Sequence, residues 1–106
     1  MPKRIQRKRS RGWTLPEGAV VVTRGTKWGN PFVVSEKFKP GSNVGGFYIA
    51  VPTPEDAVEC YRLLATQEQP EIAEAARREL RGRDLACWCK PSDPCHADVL
   101  LELANA

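Results

Sequence analysis

The densest chemistry in the chain lies between Cys87 and His96, in the run Cys-Trp-Cys-Lys-Pro-Ser-Asp-Pro-Cys-His. Three of the four cysteines and the single histidine stand in this run of ten. Cys87 and Cys89 are two apart, so on a strand both point to one face. Cys95 and His96 stand where a helix is expected to begin. Two chemistries fit. The first is metal binding: Cys87, Cys89, Cys95 and His96 make a Cys3His set suited to tetrahedral zinc, although the spacing is not that of a knuckle built from two C-x-x-C turns. The second is anion binding. A strand-to-helix turn sets the free N–H groups and the positive dipole end of the helix beside the end of the strand, where a phosphate or carboxylate is favoured. A thiol at Cys95 would there have a lowered pKa and could be a nucleophile. His96 could donate to an anion or move a proton, and Asp98 could orient either group. Cys95, His96 and Asp98 are thus the catalytic candidates. The plain alternative is packing, since free cysteine behaves as a small hydrophobe; for Cys60, among core positions of a helix, that reading is preferred.

A second unusual segment is Lys27-Trp28-Gly29-Asn30-Pro31-Phe32. Asn-Pro favours a turn, and the residue before proline is held extended. Gly29 allows a close backbone approach. Trp28 offers a flat face for a base, or fills the core; Lys27 and Arg24 could meet phosphate. The N-terminal stretch is the third. Lys3, Arg4, Arg7, Lys8, Arg9 and Arg11 carry six positive charges with no acid between them. Such a segment can bind a nucleic-acid backbone by counterion release. If ordered, it can instead bring Arg4, Arg7 and Arg9 to a pocket wall.

The elements that must position these residues can be read in outline. Ala19–Thr23, Phe32–Val34 and Phe47–Val51 are short, apolar and β-branched or aromatic, and are expected as strands. Pro40–Gly46 is expected as a loop, and so is Arg24–Pro31 with its glycines Gly25 and Gly29. Thr53 is an N-cap candidate, Pro54 suits the first helical position, and Glu55 and Asp56 suit the positive helix end. Val58, Tyr61, Leu64 and Ala65 keep helical spacing to about Thr66. A second helix restarts at Gln69-Pro70-Glu71 and breaks at Arg81–Asp84. Leu85–Cys89 is expected as a strand, and a last helix runs from Cys95 or His96 to Ala104. The expected fold is a small single-domain, Rossmann-like α/β sheet of three to four strands with about three helices. Residues 1–12 form a basic N-terminal segment and residues 13–106 the α/β domain.

Composition narrows the class. The chain has 106 residues, room for one domain, and a net charge of +3. That sum hides a division, because the residues after the basic segment carry ten basic against 13 acidic side chains. No apolar run approaches the ~18 residues of a membrane span, and no apolar stretch follows the basic start as in a secretory signal. A cytoplasmic protein with reduced thiols is expected, without a membrane partner.

Taken in order, Arg4–Arg9 with Gly12-Trp13, then Lys27–Phe32, then Leu85–Cys89 with Cys95-His96-Ala97-Asp98-Val99-Leu100 resemble the family called domain of unknown function 4326. The resemblance covers nearly the whole chain. It implies a single-domain protein of phage or bacterial type, in the host cytoplasm if phage-encoded, and no particular activity. More locally, an apolar strand ending in Cys and a loop leading to Cys-His at a helix start are similar to domain of unknown function 488. That likeness implies a Rossmann-like strand-loop-helix with fewer cysteines, although Asp98 departs from a motif that commonly has a basic residue soon after the Cys-His pair. The leading expectation is a nucleotide-like or other phosphate-bearing ligand at the Cys-His turn, met by Arg4, Arg7, Arg9, Arg24, Lys27, Trp28, Gly29 and Asn30. The alternatives are a zinc-stabilised module binding nucleic acid through residues 3–11, and a phage protein docking on a host protein.

Overall fold

The first helix forms where the sequence supplies a side-chain cap. In the computed structural model, which describes residues 2–24, 26–35, 37–45 and 48–106, Thr53 Oγ1 accepts the Asp56 backbone N–H at 3.1 Å and opens α1, Pro54–Leu63. A π-helical turn, Leu64–Glu68, prolongs it. Helix α2, Glu71–Glu79, starts after Pro70 with acidic residues in its first turn and Arg77 and Arg78 in its last, as the helix dipole favours. Gly82, at φ +76°, takes the left-handed conformation that turns the chain back toward the sheet. Helix α3 is His96–Ala104, with Cys95 as its N-cap residue.

Among the described residues six short strands fall into two sheets, β1 Arg4–Gln6, β2 Val20–Val21, β3 Phe32–Val34, β4 Asn43–Gly45, β5 Tyr48–Val51 and β6 Leu85–Cys87. The first has the order β1-β6-β2 and is parallel throughout; the second has the order β3-β5-β4. Arg4 faces Leu85 and Gln6 faces Cys87, while Val20 also faces Leu85. Strand β6 is thus central, and Leu85, Ala86 and Cys87 are all buried. A parallel strand covered on both faces needs such an unbroken apolar run. In the second sheet β3 runs parallel to β5, and β4 runs antiparallel to it through a register shift between Asn43 and Gly45.

The α/β class holds, with three α-helices among the described residues, and the strands divide between two sheets rather than forming one. Two strands were not expected. Strand β1 comes from the basic segment: its sequence, Arg-Ile-Gln, has the charged character of an edge strand, whose outer side faces water. Strand β4, Asn-Val-Gly, uses residues depleted in strands and depends on pairing with β5. Of the segments read as strand or loop, Gly25, Gly46 and Phe47 lie outside the described residues.

The core lies between the first sheet and the helices. Ala97, Val99, Leu100 and Ala104 of α3 are fully buried, in one cluster with Tyr61, Leu80 and Leu85. Leu100→Ala removes side-chain volume from this cluster and leaves a cavity. The expected loss is about 2–5 kcal/mol of unfolding free energy, read as a lower urea midpoint; an unchanged midpoint contradicts this account of the core.

Candidate functional site

A cavity of about 390 Å³ opens at the carboxyl end of β6. Its walls come from the segment after β2 (Thr23, Arg24), from Asn30, from the first turns of α1 (Pro54, Ala57, Val58) and from the Cys87–His96 segment. Both sheets contribute, since Val34 of β3 lines it as well.

The Arg24–Phe32 wall is fixed by polar bonds. Asn30, buried, donates from Nδ2 to the Ala57 carbonyl at 3.1 Å and accepts the Phe32 N–H on Oδ1 at 2.9 Å. Arg24 donates from Nε to the Asn30 carbonyl and from Nη2 to the Phe32 carbonyl. Tyr61 donates its hydroxyl to the Trp28 carbonyl at 2.9 Å, and burial pushes that phenol's pKa up. Gly29 is required here: a Cβ on it would come within 2.9 Å of the Arg24 Cα. Trp28 fills the core, outside the cavity lining, and Lys27 pairs with Glu79 on α2.

On the opposite wall, the loop between Cys89 and Cys95 is tied down by Arg4. Its side chain is only 10% exposed. Nη1 donates to Asp98 Oδ2 at 3.0 Å, and Nη2 donates to the carbonyls of Lys90 at 3.0 Å and Pro91 at 2.6 Å. Arg4 and Asp98 therefore hold loop to helix and do not line the cavity. Burial raises the Asp98 pKa, and the Arg4 charge opposes that rise. Arg7 and Arg9 place their guanidinium carbons 4.4 and 4.8 Å from the ring centroid of Trp88, which lines the cavity and is half-exposed. Arg7 Nε is buried without a hydrogen-bond partner among the described residues, and the ring face is its neighbour.

The cysteines converge. The Sγ atoms of Cys87, Cys89 and Cys95 all lie within 4.8 Å of one another, and Cys95 Sγ is 3.3 Å from Cys87 Sγ, in contact without a disulfide. Cys87 and Cys95 are buried; Cys89 is half-buried. Cys60 stands apart on α1, its thiol pushed up by burial and by neighbouring carboxylates. His96 is outside the sulfur group. Its Nε2 lies 2.6 Å from the Val22 carbonyl, which can only accept, so Nε2 carries the proton. Its Nδ1 faces Cys95 Sγ at 3.8 Å, and its ring meets Tyr61 edge to face. Three thiols this close cannot all ionise independently. The neighbouring thiols of Cys87 and Cys95, and after them the positive potential of Arg4 and Arg24, hold Cys89 well below the ordinary thiol range. Cys87, which accepts the Cys95 thiol, is pushed up by its Cys89 and Cys95 neighbours and by burial. A soft metal could replace the shared protons.

The structure thus gathers Arg24, Asn30, Cys87, Cys89, Cys95 and His96 at one cavity and sets Arg4, Lys27, Trp28, Gly29 and Asp98 behind its walls. Sequence reasoning missed the polar and aromatic lining residues Thr23, Trp88 and Asp93 and the apolar ones from β3, α1 and Pro94; for Trp88 and Asp93 their place inside the Cys87–His96 run was the available signal.

The family described as domain of unknown function (DUF4326) matches residues 5–106. The chain is 33% identical over 88 residues to the uncharacterized 12.4 kDa protein in the nrdA-td intergenic region of Enterobacteria phage T4, an overlap of 81% of this chain and 67% of that one. No solved structure matches. No helix among the described residues is long and apolar enough to cross a membrane.

The depressed pKa of Cys89 has a kinetic signature. A thiol near 8.5 gains thiolate, and alkylation rate, from pH 7 to 9. Cys89 lies below that window, so it is already thiolate at pH 7 and its rate stays flat. In chelator-treated, reduced protein, iodoacetamide followed by peptide mass spectrometry should label Cys89 first. A rate climbing tenfold over that range would contradict the assignment.

Proposed function

The chain belongs to the DUF4326 family, and from that premise we propose that its cavity binds a phosphate-bearing small molecule of nucleotide size. One observation carries this reading: the cavity joins the start of α3 to Arg24 at the carboxyl end of a parallel strand. Cys95 gives the helix no side-chain cap and its carbonyl takes the Asp98 N–H, so among the described residues the N–H groups of His96 and Ala97 are left to an anion. A volume of about 390 Å³ is within the ordinary range of ligand pockets and suits one nucleotide. The positive charge at hand is modest. Among the described lining residues Arg24 is the one cation, the carboxylate of Asp93 opposes it, and the helix end adds roughly half a positive charge. Arg4 is already committed to Asp98 and two carbonyls. That balance favours a monophosphate over a triphosphate.

Thermal-shift titration tests this with nucleoside monophosphates, the matching nucleosides and inorganic phosphate. At least one monophosphate should raise the melting temperature, and its nucleoside should not. Arg24→Ala should weaken that binding roughly 10- to 100-fold, the magnitude of a lost charge-assisted hydrogen bond. If millimolar monophosphate leaves the wild-type melting temperature unmoved, the reading is wrong.

A second reading rests on a separate observation, the placement of Arg7 and Arg9 over Trp88 at the cavity wall. It extends the basic segment into a track for single-stranded nucleic acid, phosphates on the guanidinium groups and bases beside the indole. Anisotropy of a labelled oligonucleotide should then show binding that falls steeply with salt and is weakened by the double change Arg7→Ala, Arg9→Ala. Binding equally strong in that variant rejects the track.

A further inference from the structure

We propose that Cys87, Cys89 and Cys95 form a three-thiolate site for a zinc ion, with the fourth coordination position turned into the cavity. The site is independent of whether the cavity takes a phosphate. Its first support is geometric. Zinc–sulfur bonds of about 2.3 Å at tetrahedral angles set neighbouring sulfurs about 3.8 Å apart. The three Sγ atoms already lie within 4.8 Å of each other, with one pair at 3.3 Å, so an ion enters by shifts of a few tenths of an ångström to about one ångström.

The second support is how the ligands are held. Cys87 ends the central strand β6, Cys89 is in the turn beyond it, and Cys95 is the N-cap residue of α3. Strand and helix are both fixed in the core, and Arg4 fixes the loop between them. No long side chain has to be ordered when the ion binds, which limits the entropy lost. Third, the charges fit. Three thiolates on a divalent ion leave a net charge of −1, and the guanidinium of Arg24 lines the same cavity.

The fourth position follows from His96. That residue lies outside the sulfur group, its Nε2–H held by the Val22 carbonyl and its unprotonated Nδ1 3.8 Å from Cys95 Sγ, so the ring stands beside the site and is not counted among the ligands. The cavity-facing position is left to water or to an oxygen of a bound molecule. Three protein ligands and one open position are the arrangement of zinc sites that do chemistry, as opposed to closed structural ones. Thiolates select soft ions over magnesium or calcium, and three ligands fall short of the four that iron–sulfur clusters take.

Elemental analysis of the full chain, purified without chelator from zinc-supplemented medium, should give one zinc per chain. Chelator-stripped, reduced protein given cobalt(II) should develop thiolate-to-cobalt charge-transfer absorption. Cys87 is part of β6, so the half-buried Cys89 carries the test. Cys89→Ser, checked for folding by circular dichroism, should lower zinc affinity by about 100-fold or more in competition with a chromophoric chelator, and Cys60→Ser should leave it unchanged. Less than one tenth of a zinc per chain together with no cobalt–thiolate absorption overturns the site, and so does stoichiometric iron or copper in place of zinc. Metal content is read without any nucleotide, so its failure and that of the phosphate reading are separate results.

Discussion

Arg4 joins three parts of the chain that are far apart in sequence. It stands on an edge strand, bonds a carboxylate on α3 across 94 positions, and donates to two carbonyls of the loop between Cys89 and Cys95. A cation this well covered is tolerable only when its donors are satisfied, and three acceptors surround it. The loop it holds carries no regular structure of its own. Without that guanidinium the Lys90 carbonyl keeps only the Asp93 N–H of its own turn, and no described bond at the Lys90 or Pro91 carbonyl ties the loop to the rest of the domain.

The opposite wall has the same logic with neutral groups. Asn30 and Tyr61 bond backbone of another segment from buried positions, and Arg24 bonds two further carbonyls. A segment with little secondary structure is made rigid through side-chain hydrogen bonds to main-chain carbonyls. Between these two walls the helices and sheets leave a gap, and the sulfur atoms occupy its floor.

The helices were legible because caps are local. Thr53, Pro54 and Pro70 act within one turn of themselves, and the boundaries they imply match α1 and α2 closely. Strand β6 was legible because a fully covered parallel strand reads as an apolar run. The cysteine cluster could be seen as a cluster, although the separation of His96 from the sulfurs depends on the Val22 carbonyl, some distance away in sequence. Strand β1 shows the limit. Arg-Ile-Gln has little strand character of its own, and its conformation comes from a partner near the other end of the domain. The same holds for Trp28, where a stacking face and a core residue have the same composition and only packing separates them.

The parallel pairing of β1 with β6 also governs when the domain can form. Lys3 meets Asp84 across 81 positions, so the edge strand has no partner until nearly all of the domain has been synthesised. Closing so long a loop before any contact rewards it makes such pairings slow steps in folding. During that interval Cys87, Cys89 and Cys95 have emerged but are not yet enclosed by the sheet and by Arg4. The nascent chain therefore carries its most reactive groups at their least protected, and the reducing capacity of its surroundings matters most before the native state exists.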